Sequence, residues 1–260
     1  MNYSNEFIDA NNGRILASFE IKARYKPELQ RQPQKEIGNK NRWKEKTKSE
    51  TSLSENLKKW LMAVNIHQFK KTLTEIYELA GFSLGTGSRV NKQAEQKGFV
   101  KTVQANLGRG RPRYPILTEE GHNAIGIRPA RFYGKGAGLE HILYQHQITE
   151  HFRDYKPRIE LNRKGKFIDV TIETNNSLLA IEVAVTAVHE KENIEKDLEA
   201  GADIVVVACK NQKVLNEVQK IICEMSDRVK RKTRILLISE LLSMKSEELV
   251  AKVNDSNASS

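Results

Sequence analysis

Residues 166–186 read KFIDVTIETNNSLLAIEVAVT, and this stretch decides the fold that the sequence predicts for the C-terminal half of the chain. Two apolar segments flank a turn-forming run at 175–177, so the pattern predicts two strands joined by a turn. Each strand carries one acidic residue among apolar neighbours, Asp169 in the first and Glu182 in the second. These two carboxylates are the first candidates for a functional site.

Two carboxylates on neighbouring strands can hold a divalent cation between their oxygen atoms. Mg²⁺ prefers hard oxygen ligands and usually keeps some of its water molecules, and a metal-bound water can attack a phosphodiester. The alternative is that each carboxylate forms an ion pair or faces solvent at a strand end, which is the commoner situation for an arbitrary acidic pair. The order of elements around Asp169 and Glu182, described below, favours the cation.

The distribution of charge separates a basic middle segment from a nearly neutral C-terminal half. The chain of 260 residues has a net charge of +10 and a pI near 9.5, which indicates an anionic partner such as nucleic acid. Residues 57–131 carry 13 basic and 5 acidic side chains, whereas residues 132–260 carry 19 and 20. The length fits two modest domains, and we expect binding and any chemistry to lie on different ones.

Neither the cysteines nor the hydropathy indicates secretion or membrane insertion. Cys209 and Cys223 fall in a predicted buried strand and a predicted amphipathic helix, the usual setting of reduced cysteines. No signal peptide opens the chain, and no apolar run approaches the roughly 18 residues of a membrane span. These features predict a cytoplasmic protein.

The first 54 residues are predicted to form a basic arm and a linker. Residues 13–23 alternate apolar and polar side chains as a strand does, and we expect an extended arm there. The polar run at 30–54 is dominated by Lys, Glu, Gln, Asn and Ser, with Trp43 as its aromatic residue. This composition favours a solvated tether over a dedicated DNA-binding arm.

Residues 55–130 contain three helical patterns and then a basic hairpin. Apolar residues recur at helical spacing over 57–64 and 73–80, and SRVNKQAEQKG predicts a third, polar helix that ends at Gly98. A short strand, the basic turn LGRGRPRY, a second strand and a helix that starts at Thr118 follow. This order is the layout of a winged helix-turn-helix, in which the polar helix enters the major groove.

The runs SRVNKQAEQKGFVKT and GRGRPRYPILTEEG carry a family resemblance. They resemble the recognition helix and wing of the winged-helix domains of the multiple-antibiotic-resistance regulators, over residues 72–121. The resemblance implies DNA binding, which the net positive charge favours; a winged helix used only for protein contacts is the alternative. The residues expected to contact DNA are Arg89, Asn91, Lys92 and Gln93 in the polar helix and Arg109, Arg111 and Arg113 in the wing.

The C-terminal part alternates strands and helices. The glycine-rich run at 134–138 lacks a preceding strand and the Gly-Lys-Ser/Thr sequence of a phosphate loop, so we interpret it as a hinge between domains. A helix to Phe152, three strands, a helix, a strongly apolar strand, a helix and a strand are then predicted. The expected fold is an α/β domain with a mixed central sheet at 131–253, followed by a polar tail at 254–260.

Three acidic residues lie on successive predicted elements of this domain: Glu140 on the first helix, Asp169 on the second strand and Glu182 on the third. The arrangement resembles the PD-(D/E)xK nuclease superfamily, in particular its restriction-endonuclease-like and Holliday junction resolvase-like branch, over residues 138–238. The resemblance implies that Asp169 and Glu182 bind Mg²⁺ or Mn²⁺, with the Val183 carbonyl as a further ligand. It also implies that Glu140 is the additional acidic residue of resolvase-like sites.

The lysine of that superfamily is missing from its usual position. It lies two residues after the acidic residue and helps to position the attacking water, whereas this chain has Ala184. Three interpretations stay open: Lys191 or Lys166 supplies the cation, the metal suffices alone, or the domain has kept the fold for binding and lost the reaction. Lys191 is the first candidate, although the charged run around it is typical of a solvated helix face.

The sequence supports a DNA-binding protein whose C-terminal domain hydrolyses DNA phosphodiesters with Mg²⁺ or Mn²⁺. The alternative is a non-catalytic DNA-binding or regulatory subunit of a mobile-element, replication or defence system, with a degenerate nuclease fold. Such a subunit would act with a separate motor ATPase, because IEVAVTAVHEKENIEKDLEAGADIVVV resembles nuclease-like tails of some such ATPases and this chain has no phosphate loop. A simple transcriptional regulator, which would bind a palindromic site as a homodimer, is a third alternative.

Overall fold

The computed structural model describes residues 4–8, 15–20, 53–107, 110–128, 138–174 and 177–249. The chain forms two compact units, Met1–Thr51 and Ser52–Ser260. The first unit contains an antiparallel hairpin of β1 (Ser4–Ile8) and β2 (Ile15–Glu20). The strand predicted at 13–23 is present as β2. Strand β1 was not predicted, because the short run SNEFI lacks a sustained alternation of apolar and polar residues.

Several predicted features lie outside the described residues. They are most of the linker at 30–54, the boundary near residue 130, most of the hinge at 134–138, the tail at 254–260 and Arg109. These features stay predictions.

The second unit begins with four helices and a two-stranded sheet. In chain order these are α1 (Glu55–His67), α2 (Leu73–Leu79), α3 (Leu84–Gln96), β3 (Val100–Gln104), β4 (Arg113–Leu117) and α4 (Glu119–Ala124). The strands β3 and β4 pair antiparallel, with Thr102 opposite Pro115. The apolar residues that predicted α1 form its buried face, as the helical spacing requires.

Helix α3 begins earlier than its sequence predicts. The Ser83 hydroxyl accepts the backbone N–H of Thr86 at 3.3 Å and caps the helix, so α3 starts at Leu84, before the run SRVNKQAEQKG that predicted it. Gly87 lies inside α3 against the ring of Tyr77, and a Cβ atom built there would be 2.4 Å from ring carbons. Gly87 therefore allows the close packing of α3 on α2.

The rest of the second unit is an α/β structure. Its elements are α5 (Leu139–His151), a 3₁₀ turn (Arg153–Tyr155), β5 (Arg158–Arg163), β6 (Lys166–Glu173), β7 (Leu178–Ala184), α6 (Glu190–Ala200), β8 (Ile204–Cys209), α7 (Gln212–Cys223), α8 (Asp227–Lys232), β9 (Thr233–Leu237) and α9 (Ile238–Leu241). The sheet order is β5-β6-β7-β8-β9; the first three strands are antiparallel and the last three parallel. The predicted α/β fold with a mixed central sheet is therefore confirmed.

Both faces of this sheet are covered. Successive side chains of a strand point to opposite faces, so Leu179 and Ile181 of β7 join the core that contains α5. Leu178 and Ala180 join the core that contains α6 and α7. Every residue of β7 and β8 is buried, which explains why both strands read as continuous apolar runs.

The core on the α5 face also includes residues from the turn after α1 and from the β3–β4 hairpin. Phe69 and Ile116 belong to the same buried cluster as Tyr144 of α5. The ring of Phe69 stacks on His146 with 4.7 Å between centroids, and Gln147 Nε2 donates to the Phe69 carbonyl oxygen. Residues 53–128 and 138–249 therefore share this core, while α1, α2 and α3 also form a separate core of their own.

Replacing Ile116 by alanine should destabilise both parts of the second unit together. Ile116 is 1% exposed, and truncating a buried isoleucine to alanine costs about 2–5 kcal/mol. We expect one cooperative thermal transition, measured by far-UV circular dichroism, with a lower Tm. The matched control is Leu84→Ala, because Leu84 is 65% exposed and should change stability by about 0.5 kcal/mol or less. Two transitions, of which Ile116→Ala shifts only one, would contradict a shared core.

Candidate metal centre

Strands β6 and β7 separate at the position of the two predicted carboxylates. The ladder between the strands ends at the pair Val170 and Ile181. Beyond it, Asp169 Oδ2 accepts the backbone N–H of Val183 at 2.9 Å, in the place of a strand partner. The N–H of Asp169 lies 3.4 Å from Glu182 Oε1. The fold thus brings together Asp169 and Glu182, as the sequence analysis expects.

Helix α5 supplies two side chains to Asp169. His141 Nε2 lies 3.2 Å from Asp169 Oδ2, and Gln145 Nε2 donates to Asp169 Oδ1 at 3.1 Å. The same amide donates to Glu160 Oε1 at 2.9 Å, so one buried side chain bridges two carboxylates. Ligand atoms of His141, Glu160 and Asp169 lie within 4.8 Å of one another, close enough for one cation to reach all three.

Glu160 has a backbone conformation that is rare for a side-chain-bearing residue. Its φ is 51°, in the left-handed region, which costs of the order of 1–3 kcal/mol outside glycine. It lies in β5 opposite Asp169 and interrupts the pairing between Ile159–Val170 and Leu161–Ile168. The hydrogen bond from Gln145 holds the carboxylate that this conformation presents to Asp169.

Helix α6 covers Glu182 on the other face of the sheet. Lys196 Nζ donates to Glu182 Oε1 at 3.1 Å and lies 3.5 Å from Asp197 Oδ1. Glu182, Glu190 and Asp197 are 2%, 5% and 0% exposed. We call Glu160, Asp169, Glu182, Glu190 and Asp197 the carboxylate cluster. In the described part of the chain, the cationic side chains that contact or face it are His141 and Lys196.

The excess of negative charge is visible in the pKa values of the carboxylate cluster. Burial raises the pKa of Glu182 well above its usual range, and the charges of Asp169 and Asp197 raise it further. Burial also raises the pKa of Glu190 to about 7, with the charge of Asp169 as the next cause. Burial raises the pKa of Asp197 to about 6. Both carboxylate oxygens of Asp197 are buried without a hydrogen-bond partner among the described residues, so its charge is poorly compensated next to Glu182.

The pKa of His141 shifts in the direction that favours its cationic form. Burial lowers the pKa of this imidazole, but the hydrogen bond and the charge of Asp169 outweigh burial, so the net pKa is raised. The charges of Glu160 and Glu190 add to the effect. His141 therefore takes up a proton where the acidic side chains around it are ionised.

Of the other predicted site residues, Val183 lies next to Asp169, whereas Glu140 lies outside the group that can share one cation. Val183 adjoins Asp169, and because the N–H and C=O of one strand residue point to the same edge, its carbonyl faces the same side as its bonded N–H. Glu140 is in the first turn of α5, but its carboxylate contacts Lys210 and Tyr144 and is not in the group that can share one cation.

The prediction for Lys191 is corrected by the position of α6. Lys191 is exposed, and the lysine of this helix that reaches Glu182 is Lys196. Five residues along an α-helix correspond to a rotation of about 140°, so the two lysines point in different directions. Lys166, the other candidate, pairs with Glu199.

Of the residues of α3 that were predicted to contact DNA, three are exposed and one is buried. Arg89, Lys92 and Gln93 are exposed on α3. Asn91 is 3% exposed, so its predicted place on the DNA-contacting face is wrong; it lies two residues after Arg89, about 200° around the helix. In the hairpin, Arg111 and Arg113 are exposed, and Arg113 Nη2 lies 3.9 Å from Glu95 Oε1.

Sequence reasoning did not identify six residues of this centre: His141, Gln145, Glu160, Glu190, Lys196 and Asp197. A signal for two of them was present. Glu190 and Asp197 lie four residues before and three residues after the buried Ile194, which places them on the face of α6 that packs on the sheet. Because most residues of this helix are charged, the helical spacing of its buried positions was not recognised in the sequence.

No protein-family model, curated protein or solved structure matches this chain. Within the described residues, the helices are all too short or too polar to cross a membrane.

Without divalent cations, the protein should lose stability as the pH rises from about 4 to about 7. A carboxyl whose pKa is raised on folding destabilises the fold as pH rises from its unfolded pKa to its folded pKa; for Glu190 this window runs from 4.5 to about 7. For Asp197 it runs from 3.8 to about 6. The raised pKa of His141 acts in the same direction above 6.5.

The measurement is Tm against pH in a chelating buffer. We expect Glu190→Gln and Asp197→Asn to flatten the profile, because a neutral amide has no charge to desolvate. The control is Glu199→Gln, since Glu199 is exposed on the same helix. A profile that stays equally steep in the double variant Glu190→Gln/Asp197→Asn would contradict the assignment.

Proposed function

We propose that this chain is a DNA-binding nuclease of the PD-(D/E)xK type that hydrolyses phosphodiesters with a divalent cation. The observation that carries the proposal is the carboxylate cluster at the point where β6 and β7 separate. Among the described residues, its acidic side chains outnumber the cationic side chains that face them. Such an excess of buried acid is costly for the protein alone. It suits a site that binds a cation when working.

The donor set fits a hard divalent cation. His141, Glu160 and Asp169 can reach one ion together, and Glu182 and the Val183 carbonyl adjoin Asp169. Carboxylate and carbonyl oxygens suit Mg²⁺ and Mn²⁺, and the imidazole favours Mn²⁺ of the two. Glu190 Oε2 is buried without a hydrogen-bond partner among the described residues, as expected of an acceptor held for such a centre. A bound cation would supply Lewis acidity and an acidified water.

Lys196 is placed to perform the role that Ala184 leaves open. Burial lowers the pKa of this ammonium, but the charges of Glu182 and Asp197 outweigh burial and the net pKa is raised. Lys196 therefore stays protonated and can donate hydrogen bonds to a phosphate or to the attacking water, without acting as a base. Ala184 itself is fully buried in the core that contains α6, so a lysine at that position would have to displace packed side chains.

Mn²⁺ should raise the Tm of the protein, and Asp169→Asn should abolish this rise. A ligand present at about 100 times its Kd stabilises the folded state by about 2.7 kcal/mol. We expect Lys196→Gln to keep the rise in Tm but to reduce cleavage of linear, single-stranded or branched DNA by about 100-fold or more, because a donor to the developing charge is lost.

Lys191→Gln is the matched control, because Lys191 is an exposed lysine of the same helix. It should leave both the Tm rise and the cleavage unchanged. Equal cleavage by wild type and Lys196→Gln would remove Lys196 from the mechanism. No Tm rise in the wild type would remove the metal centre.

The DNA-binding role is proposed for residues 53–128, as a winged helix-turn-helix. Arg89, Lys92 and Gln93 are exposed and lie three and four residues apart, so they share one face of α3. The β3–β4 hairpin adds the exposed cations Arg111 and Arg113. Cationic side chains on a helix and on a neighbouring hairpin fit the phosphates on the two sides of a groove.

Arg89→Ala and Lys92→Ala should weaken DNA binding and make it less dependent on salt. Each lost phosphate contact reduces the slope of log Kd against log salt concentration by about 1. The control is Lys58→Ala, an exposed lysine of α1, which should leave the slope unchanged. Asn91→Ala should lower Tm instead, because Asn91 is buried. Unchanged slopes in Arg89→Ala and Lys92→Ala would contradict the proposed interface.

A second candidate function is a non-catalytic DNA-binding subunit of a larger assembly, working beside a separate motor ATPase. The absence of a lysine at Ala184 favours it. The two candidates separate in one experiment: a Tm rise with Mn²⁺ and DNA binding, but intact DNA after incubation, would favour the subunit over the nuclease.

A further inference from the structure

Glu140, Tyr144 and Lys210 form a hydrogen-bonded chain at the amino-terminal end of α5. Lys210 Nζ donates to Glu140 Oε2 at 2.6 Å, and Tyr144 Oη donates to Glu140 Oε1 at 3.3 Å. Both carboxylate oxygens of Glu140 are therefore engaged by side chains. This differs from the carboxylate cluster, where a buried oxygen of Glu190 has no hydrogen-bond partner among the described residues.

The chain begins at the β3–β4 hairpin. The backbone N–H of Asn106 donates to Tyr144 Oη at 3.1 Å. Burial raises the pKa of Tyr144 to about 12, so this hydroxyl keeps its proton and can donate to Glu140 while accepting from Asn106. Asn106 directly precedes the basic turn of the hairpin. Glu140 is thus fixed by the segment from which that turn starts.

The chain ends at the sheet. Lys210 directly follows β8, and its backbone N–H donates to the carbonyl of Ala184, the last residue of β7, at 3.0 Å. Its side chain reaches Glu140, whose neighbour His141 contacts Asp169. Lys210 therefore stands at the carboxyl ends of two central strands, beside the candidate metal centre.

The chemistry of Lys210 suits a phosphate. Its side chain is 31% exposed, and an ammonium has three donor hydrogens, of which Glu140 Oε2 takes one. The ion pair also fixes the ammonium, which reduces the entropy lost when a further acceptor binds.

We propose that Lys210 binds a backbone phosphate of the nucleic acid next to the metal centre, and that Glu140 positions Lys210 and does not bind the metal. The inference rests on the proposed function and adds a substrate contact to the same site. It reassigns Glu140, which the family resemblance places among the site's acidic residues. Tyr144 connects this contact to the β3–β4 hairpin through its hydrogen bonds with Glu140 and Asn106.

The test compares Lys210→Gln, Lys210→Arg and Glu140→Gln in the full chain, with Asp169→Asn as reference. One readout is the Tm rise with Mn²⁺; the other is the slope of log Kd against log salt concentration for duplex DNA, measured without divalent cations. We expect Lys210→Gln to bind several-fold more weakly with a slope reduced by about 1. Lys210→Arg should restore the slope, which a merely structural lysine would not require.

Glu140→Gln should keep the full Tm rise with Mn²⁺, whereas Asp169→Asn should lose it. Loss of the rise in Glu140→Gln would make Glu140 a metal ligand and overturn the reassignment. An unchanged slope in Lys210→Gln would remove the phosphate contact. If a single variant folds poorly, the double variant Glu140→Gln/Lys210→Gln replaces it, because it leaves neither charge unpaired. A slope of log Kd against log salt concentration equal to that of the wild type would then remove the phosphate contact. A wild type without a Tm rise and without DNA binding would instead contradict the proposed function itself.

Discussion

The hydrogen bond from the Val183 N–H to the Asp169 carboxylate is the constraint on which the candidate site depends. It replaces the ladder between β6 and β7 at the point where the strands separate, so a backbone donor that would otherwise be buried unpaired is satisfied by a side chain. The same carboxylate receives His141 and Gln145 from α5. One side chain therefore contacts the separated strand, helix α5 and the neighbouring acidic groups at the same time.

The carboxylate cluster is unfavourable for folding, and the apolar strands beside it offset this cost. Each buried carboxylate loses hydration, so burial raises the pKa of Glu182 and of Glu190 and favours their neutral forms. Strands β7 and β8 are buried along their whole length and supply hydrophobic stabilisation next to the cluster. A site of this kind is tolerated because it lies on well-packed strands, where the scaffold does not depend on it.

The sequence predicted the sheet more completely than the site. Continuous apolar runs identify β7 and β8, and Gly201 marks the end of α6, because these signals are local. Asp169 and Glu182 were found for the same reason, as polar residues in apolar strands. Gln145 and Glu160 could not be found, since their contacts join elements 15 and 24 residues apart in sequence and the φ of Glu160 has no sequence signature. Lys196 was not identified, because the sequence of a highly charged helix does not show which of its lysines faces the sheet.

The common core of residues 53–128 and 138–249 limits how the chain can be dissected. A cut in the intervening connection would leave Phe69 and Ile116 uncovered on one fragment and Ile148 uncovered on the other. Apolar surface of this kind drives association, so the fragments would remain together or precipitate. A recombinant fragment intended to isolate the α/β part therefore needs to include the residues from Ser52 onwards.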